Sequence, residues 1–361
     1  MTLSLLPAEL LISIANHLLS SPQALNCLAQ TSRLLYQITN PILYKNQIVH
    51  NESSALLWAA ERGKPAPCRR LLSEGANPNI KDSHKRTPLS WAAGNGHADI
   101  VSILLSTAQT DPNARDAYFQ IPLFWAAGNG LRSCTHIPWG HPPSYARELA
   151  TADYLGIVKL LLSTINIQPD LRNLRGETPL SVAAGEGEES IVEELLRTGN
   201  VDPNSKDRFG QVPLMAAAEN GHLGVVKRLI GIEGLEADAR SHEGFSAFTV
   251  AACYGHAEIV KLLLTVPTVD PNQKKEVDPN MASDGVTALM VAANQGRNGI
   301  MQSLIAGGAE PDVKDSGGKT PLMIAVHEGN VEAVEILLST GRVAADFDLA
   351  MRGVAFFLSQ S

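Results

Sequence analysis

The stretch Thr87-Pro88-Leu89-Ser90-Trp91-Ala92-Ala93-Gly94-Asn95-Gly96-His97-Ala98-Asp99-Ile100-Val101-Ser102-Ile103-Leu104-Leu105 decides how the chain is read, because the sequence returns to it throughout. Leu89 has counterparts at Leu56, Leu123, Leu180, Leu214, Phe248, Leu289 and Leu322, at successive spacings of 33, 34, 57, 34, 34, 41 and 33 residues. Most are followed by a small pair, such as Ala126-Ala127, Ala183-Ala184 or Ala251-Ala252, and then by Gly. A period near 33, broken by two insertions, marks a repeat architecture in which each unit buries its apolar face only by stacking on the next.

Within one copy the signals order themselves. Thr87-Pro88, Thr178-Pro179 and Thr320-Pro321 predict helix starts, with a capping hydroxyl and a proline at the first helical position. Gly96, Gly187, Gly221, Gly255, Gly296 and Gly329 end that helix. A second helix then carries an apolar stripe of Ile100, Val101, Leu104 and Leu105, repeated as Ile157, Val158, Leu161 and Leu162 and as Ile259, Val260, Leu263 and Leu264, all expected to be buried. The alanine pairs let helices of successive repeats approach closely. These units resemble ankyrin repeats, from the pattern Thr-Pro-Leu-x-x-Ala-Ala-x-x-Gly-His-x-x-Ile-Val-x-x-Leu-Leu. The resemblance implies an all-α dominated solenoid of helix-turn-helix and hairpin units, eight in number, over residues 51–342, and a role in protein recognition. The His that follows Thr-Pro-Leu in that family is missing from every copy. Leu57, Ser90, Phe124, Ser181, Met215, Thr249, Met290 and Met323 stand there instead, so the side-chain bonds of that His are expected to be lost.

Composition agrees with a folded chain: 361 residues, 44% hydrophobic and 5% aromatic, supply a large core of Ala and Leu. A net charge of -8 argues against nucleic acid, which demands concentrated Lys and Arg. The four cysteines are scattered, without disulfide or zinc spacing, which fits a reducing compartment, cytoplasmic or nuclear. No secretory signal and no membrane-spanning run is read, so no membrane contact is expected, and the chain is expected to be monomeric.

Residues 1–46 precede the period. Leu6, Leu10, Leu11, Ile14 and Leu18 share one helical face after Pro7, Leu25 and Leu28 face inward from a second helix, and a third runs from about Ser32 to Ile38. Three helices of this size make too small a core to stand alone. The string Leu6-Pro7-Ala8-Glu9-Leu10-Leu11, with Ile14, Leu18, Leu25, Leu28, Arg33 and Leu34, resembles an F-box over residues 3–44, although the usual Val-Cys pair and third-helix Trp are absent. That resemblance implies docking of Leu6, Pro7, Leu10, Ile14, Leu25 and Leu28 on the Skp-type adaptor of a cullin-RING ubiquitin ligase. The combined resemblance implies a substrate-recognition subunit that holds a protein substrate near the ligase. The alternative is a helical cap on the first repeat, leaving an interaction scaffold.

Asp-Pro-Asn at 111–113, 202–204, 270–272 and 278–280, with Asn77-Pro78-Asn79, supplies turns leading into projecting hairpins. The residues after them vary. Ser83, His84, Arg86, Tyr118, Phe119, Arg175, Arg208, Phe209 and Phe245 are the candidates for contact with a protein substrate, because aromatic and Arg side chains supply binding anchors. Asn95 is expected to face the same groove. Trp58, Trp91 and Trp125 share one column, either as packing between repeats or as an aromatic strip in the groove. His97, His222 and His256 read as packing or capping residues.

The insertion 131–153 carries Cys134, His136 and His141, which match no structural zinc site. The insertion 273–280 duplicates Val269-Asp270-Pro271-Asn272 and lengthens one finger, and residues 343–361 read as a closing helix. Gly317-Gly318-Lys319-Thr320 reads as a hairpin turn, not a phosphate loop. No catalytic constellation, metal or cofactor is expected.

Overall fold

The computed structural model describes residues 55–128, 153–272 and 285–343. The expected module 1–46, residues 344–361 of the expected closing helix 343–361, residues 131–152 of the insertion 131–153 and the finger 273–280 lie outside the described residues. The chain divides after Gln168 into two compact units. The described residues are helical, with sixteen helices and no strand.

Unit 1 holds α1 (Ala55–Glu61), α2 (Pro65–Ser73), α3 (Pro88–Gly94), α4 (Ala98–Leu105), α5 (Pro122–Ala127) and α6 (Tyr154–Leu162). Unit 2 holds α7 (Pro179–Glu186), α8 (Glu189–Arg197), α9 (Pro213–Glu219), α10 (Leu223–Ile230), α11 (Ala247–Tyr254), α12 (Ala257–Leu263), α13 (Ala288–Asn294), α14 (Asn298–Ala306), α15 (Pro321–His327) and α16 (Val331–Ser339). Odd-numbered helices pack on one another as an inner layer in each unit, and even-numbered helices form the outer layer. Each pair is one period of the sequence repeat.

The inner helices begin where the sequence says they should. Thr87, Thr178 and Thr320 adopt extended backbone and accept a hydrogen bond from the amide three residues on, with proline next in line. Their alanines, Ala92, Ala93, Ala183, Ala184, Ala217 and Ala218, are fully buried. The outer stripe is narrower than expected. Ile100, Val101 and Leu104 are buried with their counterparts, whereas Leu105, Leu162 and Leu264 stay half-buried on the last turn.

Three devices hold the stack, two between successive repeats and one within a repeat, and two of the three went unread in the sequence. First, where a turn ends in Asn, that residue brackets the next repeat: Asn79 Nδ2 donates to the Gln109 carbonyl at 2.6 Å while its Oδ1 accepts from the Asp111 amide at 2.8 Å. Asn113, Asn204 and Asn272 repeat that two-point bond. Second, where the family His is missing, Ser181 and Thr249 return a side-chain bond to the capping residues Thr178 and Ser246, closing reciprocal capping boxes. Third, His97, His222 and His256 each place Nε2 on a carbonyl of the preceding repeat, at 3.1, 2.9 and 2.8 Å. A carbonyl only accepts, so Nε2 carries the proton. The glycine beneath must be bare: a Cβ on Gly187, at φ +80°, would stand 2.5 Å from the His222 ring. Each such bond contributes about 0.5–1.5 kcal/mol net.

Candidate protein-binding surface

The fingers are five-residue turns of one design. In the first, the Asp82 amide donates to the Arg86 carbonyl, the Lys85 amide to the Asp82 carbonyl, and Asp82 Oδ1 accepts from the amides of His84 and Arg86. Asp116, Asn173 and Asp207 organise the next ones in the same way. Gly317-Gly318-Lys319 is such a turn on Asp315, as its sequence suggested. Neighbouring fingers are tied backbone to backbone, the amides of Ala117, Arg208 and His242 donating to the carbonyls of His84, Arg175 and Phe209 at 2.8, 2.9 and 2.8 Å.

In unit 1 the trough between fingers and inner helices is filled by the chain itself. Arg86 does not project as a fingertip. Its guanidinium carbon lies 4.8 Å from the centroid of Trp91 and 4.4 Å from that of Trp125, a cation held between two aromatic faces. Behind it the indole N–H of Trp91 donates to Asp82 at 3.0 Å and that of Trp125 to Asp116 at 3.2 Å. Burial pushes the Asp116 carboxyl above its ordinary range, against the lowering pull of the Gln120 and Tyr118 amides, the Arg86 charge and the Trp125 N–H. Trp91 and Trp125 are thus packing residues between repeats, and Trp125 is only 6% exposed. Asn95 is buried too, its Nδ2 donating to the Glu61 carbonyl at 3.0 Å rather than facing the groove.

The remaining candidates of unit 1 lie at the surface. Ser83 and His84 are exposed and bond to each other at 3.3 Å. Tyr118 is half-buried, and Phe119 is exposed with Arg115 5.6 Å from its ring. Trp58 is half-exposed on α1.

Unit 2 has the same turns but no tryptophan. Ala216 and Val250 occupy the column of Trp91 and Trp125, and Gln211 that of Arg86. A cavity of about 590 Å3 opens there, lined by Phe209, Gln211, Met215, Glu219, Ser241, Glu243, Phe245, Val250, Cys253, Tyr254, Gln295 and Arg297. Phe209 and Tyr254 are 54% and 55% exposed over it. The Tyr254 hydroxyl donates to Glu219, and that bond, with the carboxylate charge, raises its pKa. Arg297 takes the place of the bridging His and sets its guanidinium Nη1 where a Cβ on Gly255 would stand; the φ of +91° and missing Cβ of that glycine make the room. Its Nε donates to Gln295 at 2.5 Å.

Of the predicted residues, the cavity therefore gathers Phe209 and Phe245. Arg175, paired with Glu177 at 3.6 Å, and Arg208 are exposed on their fingers, and neither lines it. The residues Leu6, Pro7, Leu10, Ile14, Leu25 and Leu28 lie outside the described residues. Met215, Glu219, Tyr254 and Arg297 were missed, though Tyr254 carried a signal. It is the aromatic residue in a column otherwise held by Arg62, Asn95, Asn129, Glu186, Asn220, Gln295 and Glu328, whereas Arg297 stands in a column that Lys64, Glu188 and Asn330 already vary. Among the described residues, no group of three or more His, Cys, Asp or Glu side chains is arranged to hold a metal, and no helix is long and apolar enough to cross a membrane. Cys68 is buried, and burial raises its thiol to about 11, above the lowering effect of Arg69.

Stacked helix pairs with bracketed turns define, in each unit, a repeat protein whose successive copies bury their apolar faces on one another. The family described as ankyrin repeats (3 copies) matches residues 24–116, 56–137, 148–241, 187–275 and 269–349. The chain belongs to the ankyrin-repeat family. Among curated proteins it is similar to ankyrin repeat domain-containing protein 49 of Bos taurus and of Homo sapiens, 43% identical over 65 residues, which cover 18% of this chain and 27% of each relative. It is also similar to the nuclear factor NF-kappa-B p110 subunit of Drosophila melanogaster, 35% identical over 80 residues, or 22% of this chain and 8% of that protein. The chain spans about a quarter of the length of the first of these relatives.

Proposed function

We propose that the chain is a protein-interaction scaffold that grips a partner protein in the open trough of unit 2. The observation that carries this reading is the cavity where Phe209, Phe245 and Tyr254 converge beside small column residues. Exposed aromatic side chains around a concavity are the usual anchors of protein complexes. The action is binding rather than catalysis, and its partners are proteins, as the ankyrin family implies. Affinity purification of the full chain tests it. Partners held by the wild type are expected to fall at least about tenfold with Phe209→Ala/Tyr254→Ala, the loss of two anchors, while the helical circular dichroism stays unchanged. An unaltered partner set would reject the trough as the site.

A finer reading rests on Leu6-Pro7-Ala8-Glu9-Leu10: the amino-terminal segment docks on a Skp-type adaptor and delivers the bound protein to a cullin-RING ligase by raising its local concentration. Co-purification of the Skp adaptor with the wild type, lost in Leu10→Asp, supports it. Absence of the adaptor leaves that segment as a cap on the first repeat, a role favoured by a family match that already begins at residue 24.

A further inference from the structure

Unit 1 shows how this trough treats a cation. Arg86 is held between Trp91 and Trp125, with Asp82 and Asp116 fixing the indoles from behind. The arrangement combines aromatic faces, whose quadrupoles attract a cation, with carboxylates that lower its desolvation cost. In unit 2 the chain provides the same ingredients without a cation at the Arg86 position. Phe209, Phe245 and Tyr254 supply the aromatic faces, Glu219 and Glu243 the carboxylates, and Gln211 stands where Arg86 stands in unit 1. Arg297 is the one cationic side chain on the wall. Its Nε donates to the neutral Gln295, and its single positive charge stands against the two carboxylates of Glu219 and Glu243, so the lining keeps a net negative balance.

We propose that the cavity of unit 2 receives an arginine or lysine side chain from an extended basic segment of the partner protein, the partner supplying in trans what Arg86 supplies within unit 1. This rests on the reading of the trough as the partner site and specifies the chemistry it selects. The aliphatic stem packs on Met215 and Val250, the cationic head meets the aromatic rings, and the charge is balanced by Glu219 and Glu243.

The test is an arrayed library of short extended peptides with randomised flanks and Arg, Lys, Gln, Leu or Glu at the centre, presented to the full chain. Arg- and Lys-centred peptides are expected to outbind Gln-centred ones by about tenfold at low salt, less at high salt. That preference is expected to vanish in Glu219→Gln/Glu243→Gln, and binding itself in Phe209→Ala/Tyr254→Ala. Preference for Glu or for neutral centres, a basic preference that survives Glu219→Gln/Glu243→Gln, or no peptide bound by the folded wild type would each overturn the proposal. Two results separate it from the broader reading. Peptides that need Phe209 and Tyr254 but ignore the central charge sink this inference alone. Peptides indifferent to both aromatic residues sink the trough as the site.

Discussion

Arg86, Trp91 and Trp125 in the first unit, and Gln211, Ala216 and Val250 in the second, occupy matching places in successive repeats, on turns with the same hydrogen bonds. The first set closes the trough with a cation between two rings. The second leaves about 590 Å3 beside exposed Phe209 and Tyr254. The backbone template therefore does not decide whether an ankyrin trough is filled or open. Three side chains do, because a repeat holds its neighbours through alanines, Asn brackets and His bridges that leave this column free.

That contrast is open to attack. The largest effect is expected from Trp125→Ala, which empties the filled trough and removes the indole donor to Asp116 Oδ2. It should cost about 3–5 kcal/mol, read as a lower urea midpoint, whereas Tyr254→Ala on the open trough should stay within about 1 kcal/mol. Next, Ala183→Leu forces a large side chain between α7 and α9 and should cost about 1–3 kcal/mol by the same measurement.

A smaller change has the opposite sign. Asp170 stands in the bracket column, where Asn79 and Asn204 donate to a carbonyl 30 residues ahead. A carboxylate has no such proton, and its Oδ1 is buried without a partner. Burial raises its pKa, opposed by the bond from the Asp202 amide, supported by the Asp202 charge and opposed by Arg172. The folded state thus holds this proton more tightly than the unfolded chain, and stability falls as pH rises from the ordinary carboxylate range through the raised value. Asp170→Asn should stabilise by about 1 kcal/mol at neutral pH and by less in acid, seen as converging thermal midpoints below the carboxylate range. Smallest is Lys85→Gly. Lys85 holds φ +60° at a finger position occupied by Gly176, Gly210 and Gly244 in unit 2, and relieving it should add about 0.5 kcal/mol after the entropic cost of glycine.

The period, the helix starts and the alanine stack were legible because each rests on local chemistry: a capping hydroxyl before proline, a glycine after the last turn, small residues where helices touch. The brackets of Asn79 and Asn204 were only half legible. Their recurrence was plain, but a turn residue that reaches the next repeat looks in sequence like a turn residue that does not. The site was least legible. Arg86 resembled a fingertip because nothing in one repeat says that Trp125, in the following one, closes over it. Phe209 and Phe245 were found by type and place. Tyr254 needed a comparison of columns rather than of motifs, since it is unusual only against its polar counterparts, and Arg297 carried no such signal because its column already varies.

The central claim is that column residues alone convert trough into site. The direct measurement rebuilds the closed trough in unit 2 with Gln211→Arg/Ala216→Trp/Val250→Trp and follows partner retention beside the circular dichroism of the full chain. Loss of every partner held through Phe209 and Tyr254, with helical content unchanged, is the predicted result. Undiminished binding by the folded triple variant contradicts it.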